Sequence, residues 1–284
     1  MMWMLCLKIS LIIFIAGNLL EMGLRLNPRD ILKGLKDYRF VANSLVWGFV
    51  AGPLLALGIT KIIPLEEPYA LGLILLGMAP AAPFLPMLAA RANADRGYTA
   101  AFMFLIAITT VLFMPIVVPV MTNELSITAW TIAKPLLLMI LLPMVTGMLL
   151  LRKYKHLSTR MIPVVKKVTG IFALTTLSLS VVIFFEGLIA LSDVKIFLAQ
   201  LVFFSAMMIF PYWLSLGLKQ EHRVIISIGL ATRNLGAAVA PLLSIAEIDQ
   251  RAFIMIVLAV PFMLGFALLS AKLFGSVKVE SAQL

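Results

Sequence analysis

Charge is scarce in this sequence. Only 13% of its 284 residues are charged, whereas 62% are hydrophobic, and the mean hydropathy is +1.09. Soluble domains carry about 25% charged and about 45–50% apolar residues. A soluble chain so poor in charge would expose apolar patches large enough to aggregate. Lipid removes that objection, because apolar side chains face outward there. Cysteine is limited to Cys6, which excludes an intrachain disulfide and a cysteine-built metal centre. The two histidines, His156 and His222, lie among basic loop residues and do not suggest a metal site. A phosphate-cradling Walker loop is missing, and no linker is long enough to set off a soluble motor or sensor domain. Nucleophile–base pairs and paired carboxylates are missing from the apolar runs, so an enzyme is the least supported reading. What remains is a single membrane domain over 1–284, with no cofactor expected.

What is present is a succession of long apolar runs. Nine candidate spans fall near 5–25, 41–62, 68–90, 98–121, 128–151, 167–189, 194–217, 223–245 and 252–274. Each run must satisfy its own peptide groups in lipid, and none alternates like a barrel strand, so all are expected to be helical. The first run is read as a span: Glu21 and Arg25 follow it, with no small-residue cleavage site before a polar start. The longest loop is expected near 152–166.

The basic residues alternate with the spans. Of the 23 lysines and arginines, 17 follow odd-numbered spans, from Arg25, Arg29 and Lys33 to Lys272 and Lys278. The opposite loops carry Glu66, Glu67, Glu124, Asp193, Glu247 and Asp249 with few basic partners. By the positive-inside rule the N-terminus is outside and the C-terminus cytoplasmic, in what is expected to be a bacterial inner membrane. The net charge of +10 thus marks one membrane face and is no sign of nucleic acid. The expected surroundings are the lipid bilayer, and no obligate protein partner is inferred.

Two spans are unlike the rest. Pro80, Pro83 and Pro86 fall within one span, each lacking a donor and clashing with the preceding turn, so an unbroken helix is not expected. Span eight carries Gly229, the polar triplet Thr232-Arg233-Asn234, and Gly236 at its middle. Interrupted spans at matching places in two halves point to a transporter site between inverted repeats. Repeat one would cover 5–121, span 128–151 would be unpaired, and 167–274 would hold the rest of repeat two. The alternative is proline kinks and small residues for close packing.

Arg233 is costly at such a depth and keeps its proton. It needs a carboxylate, several carbonyls, water or a bound anion. The acidic residues near other spans, Glu21 and Glu186, are not level with it. Arg233 is therefore either tied to carbonyls of the broken helices or an anion-binding group. Thr109 and Thr110, mid-span, are weaker candidates, since hydroxyls commonly bond their own helix.

Glu21-Met22-Gly23-Leu24-Arg25-Leu26, the run Ala70 to Gly77 leading into Pro80, Thr109-Thr110 ahead of Pro115 and Pro119, and the stretch 226–241 together resemble the bile acid:sodium symporter superfamily. The resemblance implies an all-α membrane transporter with inverted repeats, two discontinuous crossing helices, and core and panel domains. The chain looks like a nine-helix member. Spans one, five and six would form the panel, joined by span two or seven; spans three, four, eight and nine would supply most of the core. Sodium-coupled members carry a serine–asparagine pair where this sequence has Leu85 and Pro86. They carry a glutamate and a glutamine where it has Gly229 and Arg233. Such side chains offer sodium no oxygen ligand, so sodium is a doubtful partner and no metal site is expected.

The expected function is secondary transport of a small organic anion by alternating access, without conventional sodium coupling. Arg233, Thr232, Asn234, Thr109 and Thr110 are the candidate substrate-binding residues. One alternative is a sodium-dependent organic anion symporter. Another, of a different class, is a non-transporting scaffold or receptor.

Overall fold

The computed structural model describes residues 2–121, 128–183, 193–244 and 249–275. Glu124, Glu186, Glu247 and Lys278 lie outside the described residues. Every element is helical, and the described residues contain no strand, only a single isolated β-bridge. Seven helices are long and apolar enough to cross a bilayer. They match seven of the nine apolar runs. The remaining runs, 68–90 and 223–245, are each divided into shorter pieces.

In chain order, α1 (Met2–Arg25) leads to a short helix α2 (Pro28–Leu35). Asn27 caps α2 by accepting the Arg29 N–H, and Pro28 starts it where a missing N–H costs nothing. The second long helix is α3 (Tyr38–Leu45), a π-helical stretch Val46–Ala51, then α4 (Gly52–Ile62). The fifth is built the same way: α8 (Ala129–Leu136), a π stretch Leu137–Leu141, and α9 (Leu142–Lys153). Pro53 and Pro143 follow these π stretches at the head of the next helix. The wider turn accommodates the proline ring without ending the span. Between them lie α5 (Glu67–Met78), α6 (Leu85–Arg91) and α7 (Arg96–Met121). After them come α10 (Lys155–Ile183), α11 (Val194–Leu214), α12 (Gln220–Leu230), α13 (Leu235–Val239) and α14 (Gln250–Phe274).

One boundary departs from expectation. The stretch 155–166, read as loop, is the first part of α10, which starts two residues after α9 ends. It contains no glycine, and its hydroxyls serve the helix: Ser158 donates to Tyr154 O at 3.1 Å and Thr159 to Lys155 O at 3.0 Å. Lysines exposed on a helix are as well solvated as lysines in a loop, so charge alone did not mark the boundary.

The helices pack in two groups. Helix α1 lies along α9 and α10. The other group gathers α3–α4, α5, α6, α7, α11, α12 and α14 around the two broken segments. Spans two and seven both pack in this second group: α4 runs along α5, and α11 along α12 and α14. Neither was assigned there by the sequence, because α4 and α11 are apolar nearly all round and carry no stripe that names a neighbour. The groups meet where α7 touches α8 and its π stretch, and where α1 reaches α13.

Backbone contact fixes the first group. A Cβ added to Gly147 would lie 2.5 Å from Leu20 O and 2.7 Å from Leu24 N, and one on Gly23 would collide with Met144 O. The two helices approach closely because neither carries a side chain there. Gly170 of α10, by contrast, has nothing within 4 Å of its would-be Cβ. Gly147→Val should therefore cost roughly 2 kcal/mol or more. Gly170→Ala should be neutral or stabilising by up to ~1 kcal/mol. Thermal unfolding of the detergent-solubilised protein checks both, and equal melting shifts in the two variants would contradict the packing.

Candidate functional site

The two broken segments cross each other. In the first, α5 ends at Met78, residues 79–84 are non-helical, and α6 begins at Leu85. Pro80 and Pro83 sit in the gap, whereas Pro86 is accommodated in the first turn of α6. In the second, α12 ends at Leu230 and α13 begins at Leu235, leaving Ala231, Thr232, Arg233 and Asn234 between them. Gly229 and Gly236 flank this gap rather than form it. Their role is close packing: a Cβ on Gly229 would collide with the Phe102 ring, and one on Gly236 would lie 2.6 Å from Ile15 of α1.

Breaking two helices frees peptide groups that have no water to turn to. Here each break supplies the other. The Asn234 N–H donates to Ala79 O at 2.9 Å, and the Ala81 N–H donates to Thr232 O at 3.0 Å and Gly229 O at 3.2 Å. Pro80 and Arg233 are bridged antiparallel. The Thr232 hydroxyl accepts the Ala82 N–H at 3.1 Å and donates to Gly229 O at 2.9 Å. Asn234 caps α13 by accepting the Ala237 N–H at 3.1 Å. Ala81 adopts φ 65° to make its bonds, a left-handed conformation that an alanine holds only when its surroundings impose it.

Arg233 is the exception in this satisfied knot. Its side chain is 0% exposed. Nη1 reaches Gly77 O at 3.4 Å, near the C-terminus of α5, where unpaired carbonyls favour a cation. The guanidinium carbon stands 4.8 Å from the centroid of the Phe203 ring, a contact that further offsets desolvation. Nε and Nη2 are buried and have no hydrogen-bond partner. Among the described residues no carboxylate pairs with Arg233. Glu21 is taken by Arg25 at 2.9 Å.

The other candidates are placed less tellingly. Thr232 is fully buried with its hydroxyl engaged twice, so it holds the crossing together. Thr110 is buried and donates to Ile106 O at 2.8 Å, within its own helix; Thr109 is half-buried on α7. The amide of Asn234 keeps its Nδ2 out of the cap. Leu85 is fully buried and Pro86 half-buried, and neither contributes an oxygen from its side chain. No group of His, Cys, Asp or Glu suited to a metal ion occurs among the described residues. Phe203 and the Gly77 carbonyl were not foreseen. A phenylalanine in an apolar run carries no signal of its own, and a carbonyl none at all.

Removing the Thr232 hydroxyl should loosen the crossing. Thr232→Val keeps the shape but leaves the Ala82 N–H unpaired, at a cost of about 1–3 kcal/mol. Thr232→Ser should retain most of the stability. Melting temperatures of the two variants check this, and a valine variant as stable as the serine one would contradict the latch.

A model of the Sodium Bile acid symporter family matches residues 12–191 of the chain. The matched stretch includes the first break and ends before the second. No curated protein matches the chain.

Proposed function

Since the chain belongs to the sodium bile acid symporter family, we propose that it is a secondary transporter of a small organic anion, working by alternating access without conventional sodium coupling. In this reading the seven continuous helices and the two broken ones make nine crossings, with the N-terminus outside and the C-terminus in the cytoplasm of a bacterial cell. The group of α1 and α8–α10 is the panel, and the group around the crossing is the core. The matching build of α5–gap–α6 and α12–gap–α13 supports two repeats of opposite orientation, with α8–α9 unpaired.

The observation that carries the reading is the Arg233 guanidinium, buried at the crossing with Nε and Nη2 unpartnered. By the family resemblance Arg233 stands where sodium-coupled members carry a metal ligand, and its charge, unlike a metal ion, cannot be released. It attracts an anion, and a carboxylate or sulfonate suits it best because both oxygens can be taken at once. Asn234, the next residue, keeps its Nδ2 free of the α13 cap and is the second donor assigned to the solute in this reading. Thr232 keeps the loop in shape, and Thr109 on α7 stands as a weaker contact. A sodium site would have to be assembled from Thr109, Thr110 and backbone carbonyls around this fixed positive charge, which opposes it.

Thermal shift of the purified protein with pyruvate, benzoate, benzenesulfonate and taurocholate, in sodium and in potassium buffers, tests the proposal. At least one anion should raise the melting temperature, by roughly 2–4 °C per kcal/mol of binding stabilisation. The shift should be equal in both buffers and vanish in Arg233→Ala. A shift by millimolar sodium alone, or an anion shift that needs sodium and survives Arg233→Ala, would replace this reading with a sodium symporter. No shift by any of these solutes would leave the scaffold or receptor reading standing.

A further inference from the structure

The geometry of Arg233 says more about how such a site can cycle than about which anion it takes. The two unpartnered donors, Nε and Nη2, lie on one edge of the planar guanidinium. That edge receives both oxygens of a carboxylate or sulfonate side by side. The opposite corner is already committed, with Nη1 on Gly77 O and the ring of Phe203 against the guanidinium carbon. Protein groups thus fix the orientation of the cation and leave one edge for a single monovalent acceptor that offers two oxygens.

The charge itself is the second constraint. A dissociable metal ion can leave before an empty carrier returns. A guanidinium tethered to α12–α13 takes part in every half-cycle and does not lose its proton. Each switch between the two sides passes through a state in which Arg233 is shut from water, as it is in this structure at 0% exposure. Water trapped beside the edge would satisfy the hydrogen bonds but not the charge. An anion satisfies both and makes the closed site neutral. Among the described residues no carboxylate is paired to it, and in this reading the solute supplies that compensation.

Resting on the anion-transport reading above, we infer that the protein is an obligatory organic anion exchanger: the site closes and switches only when a carboxylate or sulfonate places two oxygens on the Nε/Nη2 edge of Arg233, which chloride cannot do. Entry of one organic anion is then matched by exit of another, one for one and without net charge movement. Sodium and proton gradients do not drive it. The concentration ratio of the two anions sets its direction.

The test uses the whole protein reconstituted in liposomes, with radiolabelled benzenesulfonate and taurocholate, whose sulfonates stay ionised and do not leak as neutral acids. Vesicles preloaded with the unlabelled probe are compared with vesicles loaded with chloride only, the membrane potential being clamped by potassium and valinomycin. An uncompensated buried charge slows the empty return by roughly tenfold or more. Preloading should therefore accelerate label entry by at least about that factor. Arg233→Lys, which lacks the planar edge and can shed its proton when buried, should weaken the acceleration, and Arg233→Gln should lose it. Should the glutamine variant fail to fold, the wild-type ratio alone decides. Equal entry into both vesicle populations would overturn the exchange mechanism while leaving anion transport intact. Undiminished acceleration in Arg233→Gln would overturn the role given to Arg233. Absence of both binding and entry for both probes would overturn the anion reading and the exchanger with it.

Discussion

Two helices broken at the same depth must find partners for the peptide groups they expose, and each finds them in the other. An unsatisfied N–H or C=O inside a bilayer costs several kcal/mol. The exchange across the crossing, Asn234 to Ala79, Ala81 to Thr232 and Gly229, and Ala82 to the Thr232 hydroxyl, removes that penalty for both breaks at once. Neither break is tolerable without the other. The crossing is accordingly a single structural unit made from residues some 150 positions apart, and everything packed around it serves to hold the two gaps in register.

The neighbours show how narrow that register is. Phe102 of α7 fills the space that a side chain at position 229 would need. Gly52, at the head of α4, lies against Gly77 O, the same carbonyl that receives Arg233. Phe203 of α11 supplies the ring beneath the guanidinium. Spans two, four and seven thereby each place one group against the crossing. This explains why α3–α4 and α11 belong with the broken helices and not with α1, α9 and α10. Their apolar surfaces are interchangeable to a hydropathy reading, but the glycine and the aromatic that meet the crossing are not.

Much of this was legible beforehand, for identifiable reasons. Apolar length marks a span whatever its neighbours are, so each of the seven continuous helices overlaps an expected run, although α10 begins well before its own. Proline excludes an unbroken helix by covalent geometry, so the gap holding Pro80 and Pro83 was visible. An arginine in an apolar run stands out by cost alone. Other features depended on tertiary contact. Gly229 and Gly236 read as breakers, yet the chain stays helical through Gly229 and resumes before Gly236, because their bareness is used by Phe102 and Ile15. Thr232 read as a ligand, although its hydroxyl is consumed by a peptide group on a distant segment. The helical start of α10 was hidden by lysines, which report solvent and not backbone state.

Placing arginine at such a crossing changes what the crossing can do. A bound metal ion contributes charge only while it is bound, so its arrival and departure can be linked to a gradient. Arginine contributes the same charge at all times, from a side chain whose orientation is set by Gly77 O and Phe203. The site gains preorganisation, since no ion must be gathered before an anion is attracted. It loses a means of discarding charge between half-cycles. In the proposed exchange the burden of neutrality passes to the solute, and the closed state becomes a property of the loaded protein. A fixed cation with one free edge there does the work of a gathered ion, and the anion alone decides when the site closes.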